Sequence, residues 1–135
     1  MKTTPLGKSG VDVSIYSLGA MYFGSRNDRA TSYRMLDRYV DAGGSFIDTA
    51  NIYAWWVEGC RGGESEMLMG EWLAERGHRS RLFIASKVGF QYDDVTRGLT
   101  AAQIETECNK SLRRLGVDTI DLYYAHVDDR NTPQE

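Results

Sequence analysis

The chain has 135 residues, 41% hydrophobic and 26% charged, which is typical of a globular protein with one modest core. Its net charge of −3 argues against nucleic-acid and anionic-membrane partners, and no apolar run approaches the length of a membrane span. Residues 1–5 lack the apolar segment of a secretory signal, and Cys60 and Cys108 lack metal-binding spacing. We therefore expect a cytoplasmic protein with free thiols and no metal.

The first third of the chain predicts a hairpin, a strand and a helix in that order. A tight turn at residues 6–11 joins two short extended pieces, and residues 15–20 form the first strand candidate. Asn27 or Asp28 can cap a helix that ends at Gly43 and Gly44. The predicted inward stripe of this helix is spaced three, three and four residues: Ala30, Tyr33, Leu36 and Val40.

Two further helices are predicted by their start and stop signals. One opens at Ser65 and is closed by Gly77, with an apolar inward face of Leu68, Met69, Trp72 and Leu73. The other begins at a capping box, in which Thr100 and Gln103 each satisfy a backbone donor, and ends at Gly116. Its predicted buried residues are Ile104, Cys108, Leu112 and Leu115.

Near-continuous apolar runs alternate with these helices, as in a parallel α/β sheet covered on both faces. Four strands in this order correspond to half of an eight-stranded (β/α)₈ barrel, which typically needs about 250 residues. Residues 132–135 form a second capping box with proline at the first helical position, so a helix start is predicted where the sequence stops. We expect residues 1–135 to be a single partial domain, cut short after the fourth strand.

Ionisable side chains follow or end three of the apolar runs. Asp48 ends the second strand, Tyr53 lies five residues later, Lys87 ends the third strand and His126 ends the fourth. The carboxyl ends of parallel strands share one rim, where active sites of such folds lie. A lysine ammonium can stabilise a tyrosine phenolate, so this set suits proton transfer to a carbonyl oxygen with a hydride-donating cofactor. Taken singly, each of these residues also suits an ordinary structural role. Their spacing alone favours the catalytic and the structural interpretation about equally.

Four stretches of the chain resemble the aldo-keto reductase family, in the family's order. Residues 46–53 closely resemble the signature around its catalytic aspartate and tyrosine, and residues 84–89 resemble its catalytic-lysine strand. Residues 122–126 are similar to its catalytic-histidine strand. Residues 6–13 and 18–21 resemble its N-terminal hairpin and first barrel strand.

The resemblance implies the N-terminal half of a TIM barrel that reduces aldehydes and ketones with NADPH. It implies that Tyr53 is the general acid, that Lys87 lowers the pKa of Tyr53, and that Asp48 pairs with Lys87. His126 would orient the substrate carbonyl. The family's cofactor phosphates are held by the second half of the barrel, so the resemblance implies that these 135 residues alone are inactive.

The resemblance and the sequence also suggest cofactor and substrate contacts. Gly19, Ala20 and Met21 on the first strand are implied to approach the nicotinamide end of the cofactor, and Asp48 its ribose. Trp55 and Trp56 follow Tyr53, where they form either an aromatic wall for the substrate or simple rim packing.

Two other interpretations remain open at this stage. One is a non-catalytic, cofactor-binding regulatory subunit on the same barrel, and the other is a half-barrel that dimerises to close its sheet. The sequence does not specify the carbonyl substrate, the preference for NADPH over NADH, the oligomeric state or the physiological direction.

Overall fold

A computed structural model describes residues 1–133 of the chain. The fold begins with an antiparallel hairpin of β1 (Thr3–Pro5) and β2 (Asp12–Ser14), in which Thr3 pairs with Ser14. This confirms the predicted hairpin. The helix start predicted at residues 132–135 depends on Gln134 and Glu135, which lie outside the described residues.

The centre of the fold is a parallel sheet of four strands in sequential order. They are β3 (Ser17–Gly19), β4 (Phe46–Asp48), β5 (Phe83–Val88) and β6 (Leu122–Ala125). The predicted α/β class with a half-barrel order of elements is confirmed. Because each strand pairs only with its neighbours in sequence, the rim residues of successive strands are brought side by side.

Three helices connect the strands and begin and end close to the predicted signals. They are α1 (Arg29–Asp41), α2 (Glu64–Arg76) and α3 (Ala101–Leu115), with a short 3₁₀ helix at Arg79–Arg81. The Asp28 side chain caps α1 by accepting from the backbone of Thr31, and the Thr100 capping box opens α3. Left-handed Gly77 ends α2, as predicted.

The two faces of the parallel sheet differ in burial. On the helix face Ile47 and Ile84 are aligned and fully buried. On the opposite face Phe46 and Phe83 are aligned, pack edge to face at 5.2 Å between ring centroids, and remain half-exposed. Side chains alternate along strands, so Asp48 and Lys87 share this second face. In a closed barrel this face would point inward.

The main core lies between the sheet and the helices. It contains the predicted stripe of α2, whose four residues are all buried, together with Leu36 and Val40 of α1. Helices α2 and α3 approach closely at Gly70, where an added Cβ would lie 2.3 Å from the carbonyl oxygen of Arg114. Only a glycine allows that approach.

Two predicted stripes are wrong in part. In α1 Ala30 is exposed and Ser32 is buried instead. In α3 the structure buries Glu107, Ser111 and Leu115, whereas Ile104 is exposed, and Cys108 and Leu112 are half-buried. Helix α3 packs on α2 through its Leu115 side, which turns Ile104 toward an open groove beside Ala125 on β6.

No helix among residues 1–133 is long and apolar enough to cross a membrane.

Candidate active site

Asp48 ends β4 at the carboxyl rim of the sheet. It lies in register with Gly19 on one side and Ala85 on the other, and its carbonyl accepts from the Ala20 backbone at 2.8 Å. Beyond Asp48 the chain leaves the sheet but remains tied to β5, because the Thr49 N–H donates to the Ala85 carbonyl. The strand pairing therefore fixes the backbone on which the carboxylate stands.

Lys87 is the centre of the polar cluster at this rim. Its Nζ donates to Asp48 Oδ2 at 2.6 Å, to Tyr53 Oη at 2.7 Å and to the Thr49 carbonyl at 2.8 Å. Three donors and three acceptors satisfy the ammonium group completely. The side chain is only 13% exposed, so its position is held by these bonds and by β5.

Tyr53 completes a triangle with Lys87 and Asp48. Its hydroxyl donates to Asp48 Oδ2 at 3.3 Å. Burial, followed by the negative charge of Asp48 and this hydrogen bond, raises the pKa of the Tyr53 phenol above its ordinary value. The lowering of this pKa by Lys87 stays a prediction, since burial and Asp48 set the direction of the net change. At neutral pH the phenol keeps its proton, which is the form that a general acid requires.

The backbone turns sharply immediately after Tyr53. Ala54 is fully buried and has a φ of +80°, a left-handed conformation that costs a residue with a Cβ of order 1 kcal/mol or more. The Trp55 N–H then donates to the Ile52 carbonyl at 2.9 Å. Such a conformation persists only where the surrounding contacts hold it, and it fixes the direction in which Tyr53 leaves the loop.

His126 follows β6 and faces the same cluster. The backbone N–H of His126 donates to the Val88 carbonyl at 2.7 Å, which extends the pairing of β6 with β5 by one residue. The centroid of its ring lies 6.1 Å from that of Tyr53 and 4.8 Å from that of Phe90. Burial and then the charge of Lys87 lower the pKa of His126, so the imidazole is neutral at pH 7. A neutral imidazole retains one N–H with which it can donate to a carbonyl oxygen.

The four predicted residues thus lie together at one rim. An open depression there is lined by Asp48, Lys87, Tyr124, Ala125 and His126. Positive charge from Lys87 and negative charge from Asp48 neutralise one another. The arrangement can give a proton from Tyr53 while a cation lies 2.7 Å from the oxygen that would be left charged.

The three first-strand residues that were predicted to contact the cofactor differ in burial and in the space around them. Ala20 is fully buried in the main core, and both its N–H and its carbonyl are hydrogen-bonded within the chain. Its predicted contact with a cofactor stays a prediction and would not involve a new backbone N–H donor. Gly19 has open space above it, since an added Cβ would meet no atom within 4 Å, and Met21 is 36% exposed.

The aromatic residues after Tyr53 are also unequal. Trp56 is 45% exposed and packs edge to face on Tyr53 at 6.1 Å between ring centroids. Trp55 is 40% exposed, and the ring that packs on Tyr53 is that of Trp56 rather than that of Trp55. Phe90, which the sequence analysis missed, packs on His126 from the loop after β5. An aromatic residue three positions beyond Lys87 was the available signal.

Residues 1–133 contain no group of three or more His, Cys, Asp or Glu side chains placed to hold a metal ion. Cys60 and Cys108 are free thiols, and burial raises the pKa of each.

A parallel half-barrel of this order places the chain in the (β/α)₈-barrel class, and comparison with known proteins gives the family. The aldo/keto reductase family model matches residues 17–135, and the chain belongs to that family.

The relatives it resembles include an uncharacterised oxidoreductase, YrpG, of Bacillus subtilis, 39% identical over 98% of this chain and 42% of that protein. A norsolorinic acid reductase of Emericella nidulans is 36% identical over 94% of this chain and 35% of that protein. The chain therefore spans less than half the length of both curated relatives.

Solved structures give the same family. A putative aldo-keto reductase from Pseudomonas aeruginosa superposes with a TM-score of 0.77 and 32% identity, covering 96% of this chain and 48% of that one. The holo form of an aldo-keto reductase from Bacillus halodurans gives a TM-score of 0.74, also at 32% identity, covering 91% of this chain and 39% of that one. The likeness extends over nearly the whole of this chain.

Proposed function

We propose that this chain supplies the proton-transfer half of an NADPH-dependent reductase of aldehydes and ketones. The observation that carries the proposal is the contact of Lys87 Nζ with both Tyr53 Oη and Asp48 Oδ2, beside a neutral His126. A tyrosine hydroxyl held in a half-buried cluster beside an ammonium group suits proton transfer at that oxygen.

In this proposal Tyr53 is the general acid. A substrate carbonyl oxygen accepts from the Tyr53 hydroxyl and from the His126 imidazole, which fixes its orientation. As negative charge develops on that oxygen, the phenolic proton moves to it. The phenolate that remains is next to Lys87, whose ammonium offsets its charge.

The residues present are suited to the nicotinamide end of a cofactor. Gly19 leaves open space at the rim, and within residues 1–133 Asp48 Oδ1 makes no hydrogen bond, so it can accept from a ribose hydroxyl. Met21, two residues after Gly19 in the chain, is 36% exposed. Bound NADPH would supply a hydride to the carbonyl carbon, which together with the proton from Tyr53 gives the alcohol.

The substrate contacts are part of the same proposal. Trp56 packs on Tyr53 and stays partly exposed, which favours a planar or aromatic carbonyl compound. Trp55 is proposed only as an outer wall. No specific observation favours the regulatory-subunit interpretation, because all four chemical residues are present and in contact or close to it.

The test uses a chimera in which this chain replaces the matching part of the Bacillus subtilis relative. NADPH oxidation is followed with an aromatic aldehyde, and NADH is compared. Tyr53→Phe is expected to lower kcat by about 10²- to 10⁴-fold, the range for loss of a general acid. Tyr16→Phe is the matched control, since Tyr16 is 68% exposed and precedes β3, at the opposite end of that strand from Gly19 and the rim.

Quenching of tryptophan fluorescence by NADPH is measured in the same samples. It should persist in Tyr53→Phe, which shows that folding and cofactor binding are kept. Turnover in Tyr53→Phe equal to that in Tyr16→Phe would contradict the role of Tyr53. A folded chimera that binds NADPH and reduces no aldehyde would contradict the proposed reaction.

A further inference from the structure

The loop from Thr49 to Tyr53 must be held in place if Tyr53 is to remain against Lys87. It begins well anchored, because Thr49 Oγ1 hydrogen-bonds Ser65 Oγ at 2.8 Å and both side chains are fully buried. It ends at the strained Ala54, whose left-handed conformation needs support from its surroundings. The support in between comes from a side chain on α3.

Asn51 is the middle residue of this loop and is fully buried. Its backbone N–H donates to the Lys87 carbonyl at 3.3 Å, a long bond that holds the loop weakly. Its side-chain Nδ2 donates to Glu107 Oε2 at 2.9 Å, whereas Oδ1 has no partner among residues 1–133. The bond to Glu107 is therefore the main polar contact that fixes the Asn51 side chain.

Glu107 receives more than this one bond. The carboxylate is almost fully buried, and Oε2 also accepts from the Tyr92 hydroxyl, while Oε1 pairs with Lys110 at 2.8 Å. These donors outweigh burial and keep the pKa of Glu107 below its ordinary value. Glu107 is thus an anion that accepts from two loops, one after β4 and one after β5.

The second of these loops packs on the first. Tyr92 forms a small buried cluster with Ala50 and Ile52, and Tyr53 and Phe90 pack against it. This cluster is separate from the main core under the sheet. By holding Asn51 and Tyr92 together, Glu107 closes the cluster on which Tyr53 rests.

We propose that Glu107 is a positioning residue of the active site, holding the Tyr53 loop against Lys87 through Asn51 and Tyr92. The inference rests on the proposed function for its effect on catalysis, but not for its effect on the loop. Glu107 itself has no described contact with Asp48, Tyr53, Lys87 or His126, so it acts through the loop rather than on the substrate.

The first experiment measures amide hydrogen exchange residue by residue in the 135-residue chain. The reporters are the N–H groups of Asn51 and Tyr53, both of which are hydrogen-bonded. In Glu107→Ala their protection should fall by about tenfold to a hundredfold, as expected for loss of hydrogen bonds to a charged group. Glu107→Gln keeps the shape and one acceptor oxygen, so it should recover part of the protection.

Asp37→Ala is the matched control. Asp37 is also a helix carboxylate with several side-chain donors, accepting from Trp72 and Arg76, but it lies between α1 and α2. Its loss should leave the Asn51 and Tyr53 amides unchanged. Asn51→Ala should reproduce at Tyr53 most of the effect of Glu107→Ala, and the double variant should add little, because both changes break the same link.

The second experiment measures kcat in the chimera described above. Glu107→Ala should lower kcat by about tenfold or more with a smaller change in KM, because misplacing a catalytic group costs rate. Asp37→Ala should keep the parent kcat.

Loop protection that is unchanged in both Glu107 variants, or that falls equally in Asp37→Ala, would overturn the proposal. A selective loss of protection with unchanged kcat would overturn the catalytic effect while leaving the proposed function standing. If the parent chimera reduces no aldehyde, the proposed function fails, and the exchange data alone decide whether Glu107 anchors the loop.

Discussion

Replacing Lys87 by methionine should destabilise the fold as well as abolish the proposed chemistry. Methionine keeps most of the side-chain volume but removes all three hydrogen bonds made by Nζ. Breaking a fully buried ion pair by removing one partner costs about 3–5 kcal/mol. Asp48 is 26% exposed, so water partly solvates the carboxylate that is left without its partner. We therefore expect Lys87→Met to lower the free energy of unfolding by about 2–3 kcal/mol.

The measurement is urea unfolding at pH 7 followed by tryptophan fluorescence, to which the fully buried Trp72 contributes a probe in the main core. Lys110→Met is the matched control. Lys110 also pairs with a carboxylate at 2.8 Å, but it is 35% exposed, and Glu107 keeps two other donors. Lys110→Met should lower the free energy of unfolding by about 1 kcal/mol or less. Equal losses in the two variants would refute the view that Lys87 is the buried centre of the cluster.

Two further changes test other parts of the fold. Gly70→Ala improves helix propensity by about 1 kcal/mol, but the new Cβ would clash with the Arg114 carbonyl. We therefore expect the free energy of unfolding, measured with urea, to fall by about 1–2 kcal/mol. A rise in that free energy would contradict the close packing of α2 and α3. Burial raises the pKa values of Tyr53, Tyr92 and Tyr123 in the folded state above the ordinary value of about 10. As the pH rises past about 10, these tyrosines therefore lose their protons in the unfolded state before they do so in the folded state. The free energy of unfolding should then fall with increasing pH above about 10. Tyr123→Phe, which removes a hydroxyl without a partner among residues 1–133, should make that fall shallower while costing little at pH 7. A pH dependence identical to that of the parent would contradict the raised pKa of Tyr123.

Local sequence signals correctly predicted the order of the strands and helices and several of the helix ends. The Thr100 capping box and Gly77 mark helix ends because caps act over three or four residues, a distance that a sequence shows directly. The rim positions of Asp48, Lys87 and His126 follow from strand ends in a parallel sheet. Sequential pairing then brings them together without any long-range choice of partner.

The face of α3 could not be predicted in the same way. Apolar spacing favoured Ile104 and Cys108, but the buried face carries Glu107 and Ser111. A buried carboxylate is stable only because its donors come from other elements, here the loops that carry Asn51 and Tyr92. Hydrophobic periodicity takes no account of such partners. The rise in the pKa of Tyr53 has a related origin, since burial is a property of the folded chain.

The sequential order of the sheet has a consequence for synthesis on the ribosome. All four proposed chemical residues lie on neighbouring strands or on the loop that follows one, and each strand pairs only with the strand before or after it along the chain. The contacts of Lys87 with Asp48 and Tyr53 nevertheless span 39 and 34 residues of chain, and parallel pairing over such separations forms slowly. These two contacts involve no residue after Lys87, so during synthesis they cannot form before β5 has left the exit tunnel.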